Sequence, residues 1–271
     1  MQHGLWLRNT GELDPAALVD RAVDAEAAGW DGVFVSDSLP YGEYPDPWVL
    51  LGGMAARTET VTLGTWVVPV PRREPWELAA ELATLDRLSG GRVLFGAGLG
   101  NDDEYPAYGR PYDPPALGAR YDEALEVIDG LWGDGPFSYD GEHFTLEAAT
   151  VEPSPVQQPR VPILAGAWWP NRKPIRRGAR WDGIMPFWTS LVGEDGGPRG
   201  EEAVGTPTEE LRDCLTYYHE VADEPGEVLV PWLDPEEHPD YADACGEYGV
   251  TWALSTLDPA DEAAVAAGPP T

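Results

Sequence analysis

Lysine is almost missing from this chain. Of its 17 basic residues only Lys173 is lysine, against 48 acidic residues, and the formal net charge is −31 over 271 residues. Nucleic acid and anionic bilayers are gripped by positive surfaces, so neither is an expected partner. Cysteine is scarce too. Cys214 and Cys245 alone make no disulfide framework and no thiolate metal motif, which predicts a reduced, cytoplasmic setting. The histidines, His3, His143, His219 and His238, show no HxH or HxxxH spacing, so no metal site is expected. No apolar run is long enough to cross a membrane as a helix. The start, Met1–Leu7, has no basic segment leading into a long apolar one, so no signal peptide is expected. There is no Gly-x-Ser-x-Gly elbow and no histidine at a predicted strand end, which leaves a Ser/His triad unsupported.

The charge that is present carries its own reading. At about 1 M salt the Debye length falls to about 3 Å, and repulsion within an acidic surface is largely screened. The near-absence of lysine fits halophilic adaptation, with an ordinary acidic enzyme as the alternative.

Hydrophobic residues make up 42% of the chain, enough for a sizeable core. Short apolar or β-branched runs predict strands at Leu5–Arg8, Gly32–Ser36, Val61–Val68, Arg92–Ala97, Val161–Ala165, Gly183–Pro186, Glu227–Pro231 and Val250–Leu254. Helical patterns lie between them. They run from Asp14-Pro15 to Gly29 and over Pro47–Arg57, Pro75–Leu88, Leu117–Trp132, Arg172–Arg180, Thr208–Val221, Pro235–Cys245 and Pro259–Ala267. Strict alternation implies a parallel sheet. This set predicts an α/β fold, a (β/α)8 TIM barrel forming a single domain over residues 1–271, with a doubly wound open sheet as the alternative. Residues 99–160 are too long for one helix and two loops. A hairpin around Asp140-Gly141 is predicted there, as an insertion after strand 4 near the barrel mouth. An internal echo, Gly29-Trp30-Asp31-Gly32 and Arg180-Trp181-Asp182-Gly183, reads either as a recurrent helix-stop and strand-start or as a half-barrel repeat.

Barrel chemistry sits at the C-terminal ends of the strands. Trp66, Trp168, Trp169, Trp188 and Trp232 are all expected near that rim, where they would wall a flat conjugated ligand. Core packing is the competing reading for each. Arg172, Lys173, Arg176, Arg177 and Arg180 gather cations at the start of one helix. Arg172 and Lys173, in its first turn, are the better phosphate ligands, and the other three suit pairing with the acidic surface. Gly96-Ala97-Gly98-Leu99-Gly100 is spaced GxGxG and opens no helix, so it is no dinucleotide fingerprint. Its glycines are expected to admit a planar ring close to the backbone.

Several of these stretches resemble the luciferase-like monooxygenase family. They are Ala27–Asp37, Arg57–Thr65, Leu82–Val93, the GxGxG, Tyr121–Glu126 with Leu131-Trp132, Val161–Gly166 and Ala179–Gly183. The run Thr84 to Arg92 beside the GxGxG is the most specific. The resemblance implies a TIM barrel binding FMN, or alternatively coenzyme F420, at the C-terminal rim. It places Asp37 beside the ring system and a non-prolyl cis peptide at Trp66-Val67. Leu99, Gly100 and Asn101 fall on the loop flanking the ring, and Gly166, Ala167, Trp168 and Trp169 on the loop approaching the phosphate. Asp37 and Asn101 are the catalytic candidates. The chain departs from its relatives in three ways. Ser38 stands where many carry a proton-transferring histidine, and Asn101 where F420-dependent dehydrogenases carry a glutamate, although Asp102, Asp103 and Glu104 adjoin it. Trp168-Trp169 replaces the frequent Gly-Gly. The expected partners are a flavin or deazaflavin and a small organic substrate, with association into a homo-oligomer open. The expected activity is oxidoreductase or monooxygenase, with a non-catalytic flavin-binding protein as the first alternative and a cofactor-free barrel hydrolase as the second.

Overall fold

The computed structural model describes residues 1–8, 13–38, 45–188, 190 and 206–270. Eight parallel strands close into a barrel. In spatial order they are β1 (Gln2–Leu7), β2 (Gly32–Val35), β3 (Thr62–Thr65), β5 (Val93–Gly98), β8 (Ile163–Trp169), β9 (Gly183–Trp188), β10 (Glu227–Pro231) and β11 (Trp252–Leu257), which returns to β1. The barrel is the (β/α)8 TIM barrel expected from the alternation. The third predicted strand, however, is broken. A cis peptide at Trp66-Val67 interrupts it, and the chain rejoins β5 as a short strand, β4 (Val68–Pro69).

The helices are α1 (Pro15–Ala27), α2 (Pro47–Ala55), α3 (Pro75–Ser89), α4 (Pro114–Leu131), α5 (Arg172–Gly178), α6 (Pro207–Val221), α7 (Tyr241–Glu247) and α8 (Glu262–Ala266). Their starts follow from local chemistry. Asp14, Asp46, Asp113 and Thr206 each precede a proline at the first helical position and accept backbone N–H groups of the first turn. α7 begins later than expected, because His238, at 234–238, closes a turn onto the Asp234 carbonyl instead of opening a helix. α8 is likewise trimmed to Glu262–Ala266.

The predicted hairpin exists as β6 (Phe137–Asp140) and β7 (Thr145–Ala149). Its place corrects the expectation. It follows α4 and lies against the outside of the helix layer, with Tyr139 bonded to Glu126, Phe144 against Trp76, and Glu123 accepting the turn's backbone N–H groups. It does not border the mouth.

The internal echo is a repeated clasp at the barrel base. Asp31 accepts from the His3 backbone N–H at 2.8 Å and donates its own N–H to the His3 carbonyl at 3.0 Å. Asp182 does the same to Ile163, at 3.0 Å in both directions. In each case an aspartate before one strand pins the start of the preceding strand.

The core has two parts. Outward strand residues pack on the helices. Inside the barrel, Phe34, Leu94, Leu164, Met185, Leu229, Trp252 and Leu254 form a plug. Half-buried Trp6, Trp66 and Val67 lie against this plug. Apolar side chains therefore fill the lumen, and chemistry is confined to its C-terminal end.

Candidate functional site

Side chains alternate along a strand, and that parity sorts the rim. On β8, Leu164 belongs to the inner plug, so Gly166 and Trp168 also face inward, whereas Ala167 and Trp169 join the outer core with α6. On β9, Phe187 faces inward and Trp188 outward. Trp168 and Phe187 meet edge-to-face with centroids 4.7 Å apart, and Trp66 approaches Phe187 at 6.4 Å. The Trp6 indole donates to Ser36 Oγ at 2.9 Å, and Ser36 Oγ donates to the Trp66 carbonyl at 3.0 Å. These bonds tie the first three strands together at the cis peptide.

Val67 is seated by absences. A Cβ on Gly98 would lie 2.4 Å from Val67 Cγ2, and one on Gly166 would lie 3.3 Å from Cγ1. The glycines of the GxGxG are thus filled from within the protein. Gly96 faces Met185 and the Thr65 carbonyl, Gly98 faces Val67, and Gly100 faces Glu104. On the side where a side chain would stand, these glycines therefore meet protein. They seat the residues that form the floor of the mouth. That floor is apolar, with Trp6, Trp66, Val67, Trp168 and Phe187 all half-exposed.

Beside it lies a buried charged cluster. Asp37 follows β2, and its carboxylate is bonded to Arg72 through Oδ1 and to Arg73 Nε through Oδ2 at 2.9 Å. Arg72 also donates to the Asp37 carbonyl at 3.3 Å. Both arginines come from the turn after β4. Glu104, on the loop after β5, is 3% exposed and accepts from Ser38 Oγ at 3.3 Å. Its Oε2 makes no hydrogen bond among the described residues, nor does Arg72 Nη1, which stands 3.8 Å away. Burial pushes the Glu104 carboxyl up to about 7, and the Arg72 charge opposes it. Glu81, behind Arg73, is also raised by burial to about 7, again against its arginine.

The expected site residues divide. Asp37, Trp66, Val67, Gly100, Gly166 and Trp168 lie at the strand ends around the mouth, while Leu99 packs on the outer core and Asn101 is exposed on the loop beyond. Gly166 to Trp169 belong to β8 and not to a loop, because β9 pairs with β8 as far as Trp169↔Trp188. Ala167 and Trp169 turn their side chains into the helix layer, Trp169 toward Tyr217. Trp188 and Trp232 leave the rim too. Trp188 is fully buried against Tyr241, and Trp232 packs on His3. Arg172 is exposed, with its guanidinium 4.7 Å over the Tyr217 ring. Arg177 and Arg180 pair with Asp122 and Glu126 as expected, whereas Arg176 bonds the Tyr217 hydroxyl. Arg172 and Lys173 have no carboxylate partner among the described residues.

The sequence places Arg72, Arg73, Glu104 and Phe187 directly after strands at the mouth but gives none of them a role, and it does not single out Trp6. Adjacent arginines directly after a predicted strand, in a chain so poor in cations, were the available signal for the cluster.

Comparison with known proteins agrees with this fold. The family model described as luciferase-like monooxygenase matches residues 1–189. A curated relative, the F420-dependent glucose-6-phosphate dehydrogenase of Microbacterium testaceum, is 36% identical over 166 residues, 59% of this chain and 49% of its own. The chain thus spans about half the length of that relative. A solved F420-dependent secondary alcohol dehydrogenase superposes with a TM-score of 0.79 at 19% identity, covering 98% of this chain and 96% of the other. A monooxygenase of Streptomyces bottropensis superposes with a TM-score of 0.70 at 26% identity, covering 92% of this chain and 77% of the other. With the family model matched through the cis-peptide strand, the GxGxG and β8, the chain belongs to the luciferase-like monooxygenase family.

Proposed function

We propose that this protein is an oxidoreductase whose cofactor is a deazaflavin of the F420 type, with FMN as the alternative, bound at the barrel mouth. The observation that carries this reading is the floor itself. Val67, seated on Gly98 and Gly166 and flanked by half-exposed tryptophans, presents an apolar surface against which a conjugated ring can pack. The curated relative's F420 dependence orders the two cofactors, and the Streptomyces monooxygenase keeps the oxygenase alternative in view. When bound, such a cofactor supplies the redox chemistry: two-electron hydride transfer for F420, or oxygen activation for reduced FMN.

The chain's own residues bind, orient and exclude water. Val67 would back the ring, while Leu99, Gly100 and Asn101 border it. Asp37 holds Arg72 and Arg73 in place, and its carboxylate bonds only these two among the described residues, so its proposed part is positioning and not direct catalysis. Gly166 and Trp168 would flank the ring from β8, with Ala167 and Trp169 contributing backbone alone. The phosphate end is proposed at the Asn171–Lys173 turn, near Arg172 and Lys173. These are cations that the acidic surface has not claimed among the described residues.

Titration of the purified chain in molar KCl with F420, FMN and reduced FMN, followed by fluorescence, tests the reading. Saturable binding of F420 tighter than FMN is expected. A folded protein that ignores all three would overturn it. Turnover of a reductant or alcohol with bound cofactor separates an enzyme from a storage protein.

A further inference from the structure

We propose that this mouth takes an uncharged, largely apolar organic substrate, held against the aromatic wall of Trp168, Phe187 and Trp6. That the bound molecule is a substrate rests on the oxidoreductase reading above; its chemical class rests on the wall.

Strand parity divides the mouth into two unlike halves. Five consecutive strands, β8, β9, β10, β11 and β1, form one side of the barrel. On the first four, Leu164, Met185, Leu229 and Leu254 belong to the inner plug. Counting by twos toward the C-terminal ends puts Trp168, Phe187, Pro231 and Thr256 inward above them. Trp6 of β1 completes the row, packing on the plug and pairing in register with Thr256. Trp168 and Phe187 are likewise in register. No carboxylate, guanidinium, ammonium or imidazole stands among the five. The buried charged cluster lies across the barrel, where Asp37 follows β2, Arg72 and Arg73 end the turn after β4, and Glu104 follows β5.

The wall is held in shape by its own contacts. The Trp168 and Phe187 planes stand 80° apart with centroids at 4.7 Å, and Trp66 supports Phe187 at 6.4 Å. The Trp6 indole has already given its N–H to Ser36 Oγ at 2.9 Å, so its ring offers the mouth carbon alone. The hydrogen-bonding groups left in the row, the Thr256 hydroxyl and the Trp168 N–H, are neutral. Trp6, Trp168, Phe187 and Pro231 are half-exposed and Thr256 is exposed. An apolar molecule seated here takes its own surface and theirs out of water together.

A charged molecule meets the opposite conditions. The net charge of −31 repels an anion from a distance. Against this wall an ion of either sign sheds water without gaining a counter-charge. The cations of this side stand elsewhere. Arg172 and Lys173 open α5, and Arg172 lies over Tyr217 of α6, in the helix layer. Arg8 comes after the end of β1 and is exposed. Arg72 and Arg73, across the barrel, are bonded to Asp37.

Calorimetry and saturation-transfer NMR on the whole chain in molar KCl, with and without F420, test the wall. The probes are linear alcohols from propanol to hexanol, and the carboxylates and amines of equal length. At that salt long-range repulsion is screened, so differences report the contact itself. The dissociation constant of the alcohols should fall about fourfold with each added methylene. Carboxylates and amines should bind about tenfold or more weakly than their alcohols. Trp168→Ala should flatten the alcohol series. Thr256→Arg, at an exposed position, should turn the preference toward carboxylates, and Arg8→Ala should change neither. A flat series in the parent chain, a carboxylate or amine as tight as its alcohol, or a Trp168→Ala variant that keeps the full series overturns the proposal. So does Thr256→Arg if it stays indifferent to carboxylates, since the row would then not face the bound molecule. If neither F420 nor FMN binds while the alcohols keep their series, the cofactor reading fails and the wall stands. If F420 binds and the series is flat, the reverse holds.

Discussion

Replacing Asp37 by asparagine is the sharpest perturbation of the buried cluster. The side chain of Asp37 is 1% exposed and bonds two guanidinium groups, whose own side chains are 9% exposed for Arg72 and 21% for Arg73. The amide keeps the shape and removes the charge. Both arginines retain second carboxylates, Glu104 for Arg72 and Asp46 and Glu81 for Arg73, but each stands at 3.8 Å. Breaking a buried pair from one side costs about 3–5 kcal/mol. Arg73 can regain water, so the low end, about 3 kcal/mol, is expected. With an unfolding entropy of about 2.1 cal/mol/K per residue, this chain's is about 0.57 kcal/mol/K, and Tm should fall by about 5 °C. A second signature separates this from generic damage. The Asp37 charge raises the Glu104 pKa and occupies Arg72, so Asp37→Asn should bring the Glu104 midpoint down from about 7. Thermal melting in molar KCl at pH 8 and an infrared titration read the two effects. A fall in Tm under about 2 °C would mean the charges are not buried in solution. A Glu104 midpoint that stays or rises would refute the coupling.

Other consequences are testable in the same conditions. Glu104 titrates at about 7 in the folded chain against an ordinary 4.5, so the native state holds the extra proton between those values. The associated stability, about 3 kcal/mol, is fully present below pH 4.5 and is lost as pH rises through 7. Denaturant unfolding across that range should show the decline, to which Glu81, raised to the same value, adds its own part; Glu104→Gln should make the decline shallower by the Glu104 share, and an equally steep decline in the variant would place the titration elsewhere, Glu81 first. Gly98→Ala would put a methyl 2.4 Å from Val67 and should cost about 1–3 kcal/mol while weakening cofactor binding; wild-type stability and affinity would show that Val67 moves freely. Arg172→Ala should weaken FMN about ten- to a hundredfold and riboflavin far less, whereas equal losses would show that the arginine merely steadies its turn against Tyr217. The net charge of −31 predicts a melting temperature that climbs from dilute buffer to molar KCl, and an unchanged one would sink the halophilic reading.

The barrel was legible because each strand carries its own period and each helix its own start. Asp14-Pro15 and Asp46-Pro47 cap helices where they read as caps. The most recognisable run, Thr84 to Arg92, proves to be foundation and not site. Asp86 accepts the Val156 and Gln157 backbone N–H groups, and Arg92 donates to the carbonyls of Ala55, Thr58, Val61 and Ser89, all at the barrel base. What marks the family most clearly is thus remote from the chemistry. The rim was harder to read for a reason of parity. Trp168 and Trp169 look equivalent in sequence, yet one faces the mouth and the other α6, and the split depends on where β8 ends. A strand that ends at Trp169, four residues beyond the expected Ala165, turns a supposed loop into alternating faces.

The cluster was hidden by abundance. Among 48 carboxylates, no local pattern distinguishes buried Glu104 from Asp102 and Asp103 beside it, which are exposed. Cations give the better lever, because there are only 17. A guanidinium keeps its charge and cannot be buried alone. Arg72-Arg73 directly after the third strand therefore demands carboxylates drawn in beside it, and those must come from neighbouring strand ends, since the turn itself offers only Glu74. The neighbours of the third strand are β2 and β5, and their ends supply Asp37 and Glu104. In so acidic a chain, the scarce charge locates the site and the plentiful one fills it.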